Sequence, residues 1–303
     1  MTDAREKAAV LALVSRADFE WYRVATAVEE RGSAISILDG DWTGFETYPT
    51  GPFDDVARRV TSDELRRFEE LIEAESEAGA VLLTVLDEEY PANLRQIYNR
   101  PPFLFVRGRL DDADAKAIAV VGTRKASTEG IDAATRLATA LVDSGVTVVS
   151  GLAKGIDAAA HRATLEAGGR TLAIMGTGIK TIYPQANTGL ASDIVESGGA
   201  LLSQFWPDAP PMRSSFPMRN VVMSGMAIGT AVVEASSTSG AKMQARLALD
   251  HGKRLFLLRS LVLHEDWAKK YATHAASTVV ESVEDILPVL NASIDPPQQL
   301  ALR

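Results

Sequence analysis

Short, uniformly apolar segments alternate with amphipathic stretches through the second half of this chain. No other feature constrains its fold as tightly. Residues 117–121, 146–149, 171–175, 200–202, 230–233 and 254–258 read as compact strands. Between the first two, Ile131, Ala134, Leu137, Ala138 and Leu141 recur at helical spacing, and further helices are expected over 155–167 and 239–250. Strands without polar alternation are buried on both faces, and helices must cover them, so the class is α/β with a doubly wound, mainly parallel sheet. In such sheets ligands bind outside the carboxyl ends of the strands, where loops run into helix N-termini.

Upstream, the first 80 residues read as helices: Val10, Leu13, Val14, Phe19, Tyr22 and Val24 share one helical spacing. Leu65, Phe68, Leu71 and Ile72 share another, after a Thr61-Ser62-Asp63 start signal. Turn-rich segments at 39–44 and 48–52 separate them. The acids from Glu64 to Glu77 read as a solvated helix face. Strands are expected at 81–85 and 103–106, with a helix over 90–98; after Leu258 the pattern weakens and 279–290 closes with a short strand and helix. The division is an acidic helical domain over 1–80, an α/β domain over 81–290 and a tail over 291–303.

Composition narrows the function. The 303 residues carry a formal charge of −9 and no cysteine, which excludes disulfides, iron–sulfur clusters, thiolate zinc and a cysteine nucleophile. The acidity is local: residues 1–115 hold 24 acids and 13 bases, residues 116–303 hold 16 and 18. The second part is slightly basic and leaves nucleic acid open as a partner. No apolar run of about 18 residues occurs, and the first residues lack the pattern of a secretory signal, so cytoplasmic residence and no membrane partner are expected.

The strand-end loops hold the candidate chemistry. In Val121-Gly-Thr-Arg-Lys, Gly122 permits a sharp turn, Thr123 offers a hydroxyl beside helix-start amides, and Arg124 and Lys125 stand at the rim. This is neither a dinucleotide fingerprint nor a Walker loop. Gly151 and Gly155 bracket Lys154 at the next junction, again suited to an anion. Asp157 reads as a helix cap rather than a catalytic carboxylate, with His161 one turn on and within reach of it. Gly176-Thr-Gly-Ile-Lys is a third glycine-lined turn, its Tyr183-Pro184 setting loop geometry. In the segment 204–220, Arg213 and Arg219 flank Phe216, so that cations can grip phosphate while the ring stacks on a base. Phe216 and Trp206 read equally as buried staples beneath a proline-rich loop. Glu234-Ala-Ser-Ser-Thr-Ser-Gly240 supplies hydroxyls and amides at one more helix start. The four histidines are scattered, no metal spacing or nucleophile elbow is present, and no cofactor is implied. A set of anion-friendly loops without a catalytic group describes a binder, not an enzyme.

Together, Val121-Gly-Thr-Arg-Lys, Ser150-Gly-Leu-Ala-Lys-Gly-Ile-Asp, Ile182-Tyr-Pro, Ser215-Phe-Pro-Met-Arg-Asn220 and Ser239-Gly-Ala-Lys-Met-Gln-Ala-Arg resemble the DNA-processing protein A (DprA/Smf) family. The resemblance runs from about residue 80 to 258. It implies an extended Rossmann-like fold that binds single-stranded DNA without sequence preference, forms a homodimer and loads the RecA recombinase during natural transformation. Carried over by position, Arg124, Lys125, Lys154, Arg213 and Arg219 would hold the strand and Phe216 would stack. Asn220 follows in the same motif, and Gly122, Gly151, Ser239 and Gly240 would supply amides or close approach.

The chain also departs from the family pattern. Met218-Arg219-Asn220-Val221 stands where the family shows Arg-Arg-Asn-Arg, Leu258-Arg-Ser260 replaces Pro-Gly, and Lys242-Met-Gln244 replaces Leu-Ile-Thr. The Gly-x-Gly hairpin of many relatives is missing, and no winged helix fits after Leu290. Losing two phosphate contacts should flatten the salt dependence of binding by roughly 0.7 per contact. The lost arginines favour an alternative, a Rossmann-like sensor of a nucleotide-derived ligand held by Gly122, Gly151, Gly176 and Ser239. A third reading, protein binding through the acidic helices, requires an exposed apolar patch on residues 1–80.

Overall fold

The computed structural model describes residues 2–41 and 51–294, with side chains as far as Leu290. Most of the segment expected to be turn-rich, and the tail beyond Ile294, lie outside the described residues.

Helices open the chain: α1 (Ala4–Arg16), α2 (Trp21–Arg31), α3 (Ala34–Leu38), α4 (Gly51–Arg59) and α5 (Ser62–Glu77). The single apolar run from Val10 to Val24 is broken at Ala17, which turns extended without a proline or glycine to announce it. Gly51 and Pro52, expected in a turn, instead start α4; a proline in the first turn loses no helical hydrogen bond. The α5 start signal is used as expected, the Thr61 hydroxyl accepting from the Glu64 amide at 3.2 Å. The acids of α5 are not uniformly solvated. Glu64 is buried and paired to Arg16 at 3.0 Å, and Glu75 is buried and paired to Lys180 at 2.7 Å.

The sheet follows in chain order. β1 (Ala80–Thr84), α6 (Ala92–Arg95) and β2 (Phe103–Gly108) come first. β3 (Ala117–Val121), α7 (Thr128–Asp143), β4 (Thr147–Ser150), α8 (Ile156–Glu166), β5 (Thr171–Ile174), α9 (Thr188–Glu196) and β6 (Ala200–Ser203) make the first wound half. α10 (Ser215–Met226), β7 (Gly229–Val232), α11 (Gly240–Asp250), β8 (Arg254–Leu258), α12 (Arg259–His264), α13 (Asp266–Ala272), β9 (Ser277–Val280) and α14 (Leu287–Ile294) make the second. The helix expected over 90–98 shrinks to α6. Around it side chains hold irregular backbone: the Tyr90 hydroxyl donates to the Pro101 carbonyl, and Arg95 donates to the carbonyls of Val85 and Asp87. Where the pattern weakens after Leu258, two short helices form, α13 burying Trp267 and Ala268.

Among the described residues the strands form one nine-stranded sheet in the order β1-β2-β6-β5-β4-β3-β7-β8-β9. β1 and β2 are antiparallel additions at one edge; from β6 to β9 the pairing is parallel. The uniform apolarity of β3 has a direct cause. Ala117, Ala119 and Val121 enter one core, Ile118 and Val120 the other, on opposite faces of the pleat. The chain winds outward from β3 to β6, then returns to place β7 against the free side of β3, Val121 opposite Val232. The strand order therefore reverses between β3 and β7, and a crevice opens at their carboxyl ends.

Candidate functional site

The crevice is built from the loops after β3, β4 and β7 and from one face of α10. Gly122 ends β3 because a Cβ there would lie 2.3 Å from the Ile156 side chain and 2.8 Å from the Glu234 carbonyl. Thr123 ties three segments together. Its amide donates to the Glu234 carbonyl at 2.7 Å, its carbonyl accepts from the Ile156 amide at 3.3 Å, and its hydroxyl accepts from the Lys125 amide at 3.2 Å. The Glu234 carboxylate then accepts from the Ser127 amide and hydroxyl at 3.0 and 2.8 Å, holding the β7 loop to the start of α7. The two loops that flank the switch point thus form one rigid rim.

Along α10, Phe216, Arg219, Asn220 and Met223 recur at intervals of three or four and face the crevice together. A cavity of about 290 Å³ results. Of the residues expected to bind, Gly122, Thr123, Arg124, Phe216, Arg219, Asn220, Ser239 and Gly240 line it; Ser239 also caps α11, its hydroxyl accepting from the Ala241 amide at 3.1 Å. Lys125, Lys154 and Arg213 stand exposed on the surrounding loops and do not line it. Gly151 lies behind Arg219: a Cβ there would fall 1.2 Å from a guanidinium nitrogen.

The cations divide into two kinds. Arg219 is buried at 5% exposure and lies 3.8 Å from the equally buried Asp157 carboxylate. Burial lowers the Arg219 pKa against the pull of Asp157. It raises that of Asp157, opposed by Arg219 and by the Gly151 and Ala153 amides that donate to the carboxylate. Asp157 therefore does not cap α8, whose N-cap position is Gly155 and which has no side-chain cap. It also makes no pair with His161, which bonds the Thr171 hydroxyl at 2.7 Å instead. Arg124, Lys125, Lys154 and Arg213 are exposed, and no carboxylate among the described residues lies within ion-pairing distance of any of them. The Arg124 guanidinium rests 4.8 Å above the Phe216 ring, which is only half-buried. Trp206, by contrast, is the staple: it stacks on Phe68 at 5.5 Å and packs against Phe103.

Ser236 and Thr238, from the hydroxyl-bearing loop expected at the start of α11, also line the cavity, as do Met223 and Gln244, which residue types did not single out. The spacing along α10 would have found Met223. Gln244 is fully buried, its amide donating to the Asn220 carbonyl at 3.1 Å and accepting from the Ser224 amide at 3.2 Å. A larger hollow of about 640 Å³ opens between α2 and α10, but Asp18 and Glu20 line it, an unfavourable setting for a polyanion.

The profile of a family described as DNA recombination-mediator protein A matches residues 81–291. Protein Smf of Escherichia coli is 41% identical over 177 residues, 58% of this chain and 47% of that protein. The DNA processing protein DprA of Streptococcus pneumoniae is 37% identical over 180 residues, 59% of this chain and 63% of that one. The chain thus spans between about half and under two thirds of the length of these relatives. The X-ray structure of the Streptococcus pneumoniae DprA superposes with a TM-score of 0.69 at 27% identity, covering 95% of this chain and 98% of that one. A DprA structure from Helicobacter pylori, described for its single-stranded DNA binding mode, shares the fold at a TM-score of 0.61 and 23% identity, covering 71% of this chain and 96% of that one.

Proposed function

Because the chain belongs to the DNA recombination-mediator protein A family, whose profile covers residues 81–291, we propose that its part in DNA processing is to bind single-stranded DNA across the carboxyl ends of β3 and β7. The DNA-processing names of the relatives fit such a part, and a binding role without a catalytic step belongs to the same proposal. The observation that carries the proposal is the contrast within the site. Arg219 is neutralised in its floor, whereas Arg124, Lys125, Lys154 and Arg213 remain unpaired around a half-exposed ring. A rim of free cations beside an aromatic holds phosphates and stacks any base, which makes binding tolerant of sequence. The single-stranded DNA binding described for the Helicobacter pylori relative supports the same reading. RecA loading, pairing of two copies and a cytoplasmic role in natural transformation belong to this proposal and rest on family membership.

The test is titration of a labelled oligonucleotide against the wild type and an Arg124→Glu/Lys154→Glu variant. Both side chains are exposed, so the fold should survive the change. Affinity should fall by at least about tenfold and the salt slope by roughly 0.7 for each lost phosphate contact. Equal affinities would overturn the site.

The size of the cavity favours a second reading. About 290 Å³ sits at the small end for ligand pockets and suits one nucleotide better than a run of bases. Melting shifts with a panel of free nucleotides distinguish the two, since only a tight ligand raises the midpoint at micromolar concentration.

A further inference from the structure

Phe216 offers only part of its ring for stacking. The Arg124 guanidinium covers one part of the ring at 4.8 Å, and Gly176 approaches another so closely that a Cβ would lie 2.7 Å from it. The aromatic beside it is Tyr183, with ring centroids 5.8 Å apart and planes tilted by 47°. Tyr183 is 44% exposed, so much of its ring is open to a ligand, while the loop that carries it is firmly held. The Gly178 amide donates to the Ala209 carbonyl at 2.9 Å and the Lys180 amide to the Pro207 carbonyl at 3.1 Å. The Thr177 hydroxyl donates to the Thr181 carbonyl at 2.5 Å, and Lys180 is paired to Glu75. On the far side, the Asn187 side-chain Nδ2 donates to the Leu152 carbonyl at 2.8 Å, joining this loop to the one that bears Lys154.

From this arrangement we infer that Tyr183 is a second nucleobase seat, on which a base stacks while Phe216 backs the ring and holds Arg124 ready for a phosphate. The inference rests on the single-strand reading above and adds to it a subsite in the loop after β5. A ring fixed before binding loses little freedom on contact, which is what makes such a platform effective. It discriminates against no base, because every base offers a π-face.

The experiment is fluorescence titration of fluorescein-labelled oligothymidine, at several salt concentrations, with wild type, Tyr183→Ala, Tyr183→Leu, Tyr183→Phe and Arg124→Glu. Tyr183→Leu keeps apolar bulk on the loop should Tyr183→Ala disturb it. Tyr183→Ala and Tyr183→Leu should each weaken binding about tenfold, the order expected for one lost stack, with the salt slope unchanged. Tyr183→Phe should bind as the wild type. Wild-type affinity in the Ala and Leu variants, a changed salt slope, or a Phe variant as weak as Ala would each overturn the seat. If Arg124→Glu still weakens binding in that case, the site stands without the seat. If no variant changes the affinity, the site itself is refuted.

Discussion

The Arg219 guanidinium lies 3.8 Å from the Asp157 carboxylate, and side-chain exposures of 6% and 7% show how far both are withdrawn from water. On the side away from the crevice the packing is tight, since Gly151 stands where any Cβ would displace the guanidinium, and the buried Arg219 Nε has no hydrogen-bond partner among the described residues. The pair is thus structural first, the floor on which the crevice rests.

Removing one partner of a buried pair leaves the other charge uncompensated. Asp157→Asn should therefore lower stability by about 3–5 kcal/mol in urea denaturation. A double variant, Asp157→Leu/Arg219→Met, should recover most of that loss because it removes both desolvated charges. A cost below about 1 kcal/mol for Asp157→Asn would show that the carboxylate is not the counter-ion that holds Arg219 in place.

His161 should sense acid without being part of any site. The Thr171 hydroxyl donates to the Val148 carbonyl at 2.8 Å, so at 2.7 Å it can only accept from His161, which places the ring proton on Nδ1 and leaves Nε2 bare. Burial, with Arg219 and Arg162 adding to it, lowers the pKa from 6.5 to about 3. The folded value is depressed, so the stability it contributes is complete above pH 6.5 and is lost as the pH falls towards 3. The loss should run at about 1.4 kcal/mol per pH unit and be absent from His161→Gln. The ring resonances should show no titration between about pH 8 and 5; a midpoint near the ordinary histidine value would refute the burial argument.

Two glycines should respond oppositely to alanine. At Gly178 a Cβ would lie 2.2 Å from the carbonyl oxygens of both Trp206 and Pro207, and both accept backbone hydrogen bonds that resist displacement. Gly178→Ala should cost about 1–3 kcal/mol. Gly189, in the first turn of α9, has nothing within 4 Å, and Gly189→Ala should stabilise by about 0.5 kcal/mol through the unfolded chain. Thermal unfolding of the two variants checks both signs.

Much of the fold was legible because its signals are local. Each strand from β3 to β8 lies within a residue or two of its apolar segment, since a strand buried on both faces needs no partner to reveal it. The break between α1 and α2, the shortening of α6 and the pair α12 and α13 were not legible. The shortening of α6 goes with side-chain bonds that no helical period reveals, those of Arg95 to the carbonyls of Val85 and Asp87, and α13 forms where Trp267 and Ala268 are buried. In the site, the glycine-bounded loops and their cations could be read from residue types. That Asp157 serves as the counter-ion of Arg219 rather than as a cap could not, because the two lie on different helices.

By itself the sequence determined the class of fold, the loops that would carry the chemistry and the residues available to them, because strand burial and turn formation follow from neighbouring residues. Only the tertiary structure decided where that chemistry converges. It set β7 against β3, and so opened the crevice at their ends. It withdrew Arg219 from solvent while leaving Arg124 and Lys154 in it, and it placed Tyr183 beside Phe216. The reason is physical: strand order and the pairing of a charge are settled by contacts between segments far apart in the chain, and no local pattern encodes which of two arginines will find the buried carboxylate.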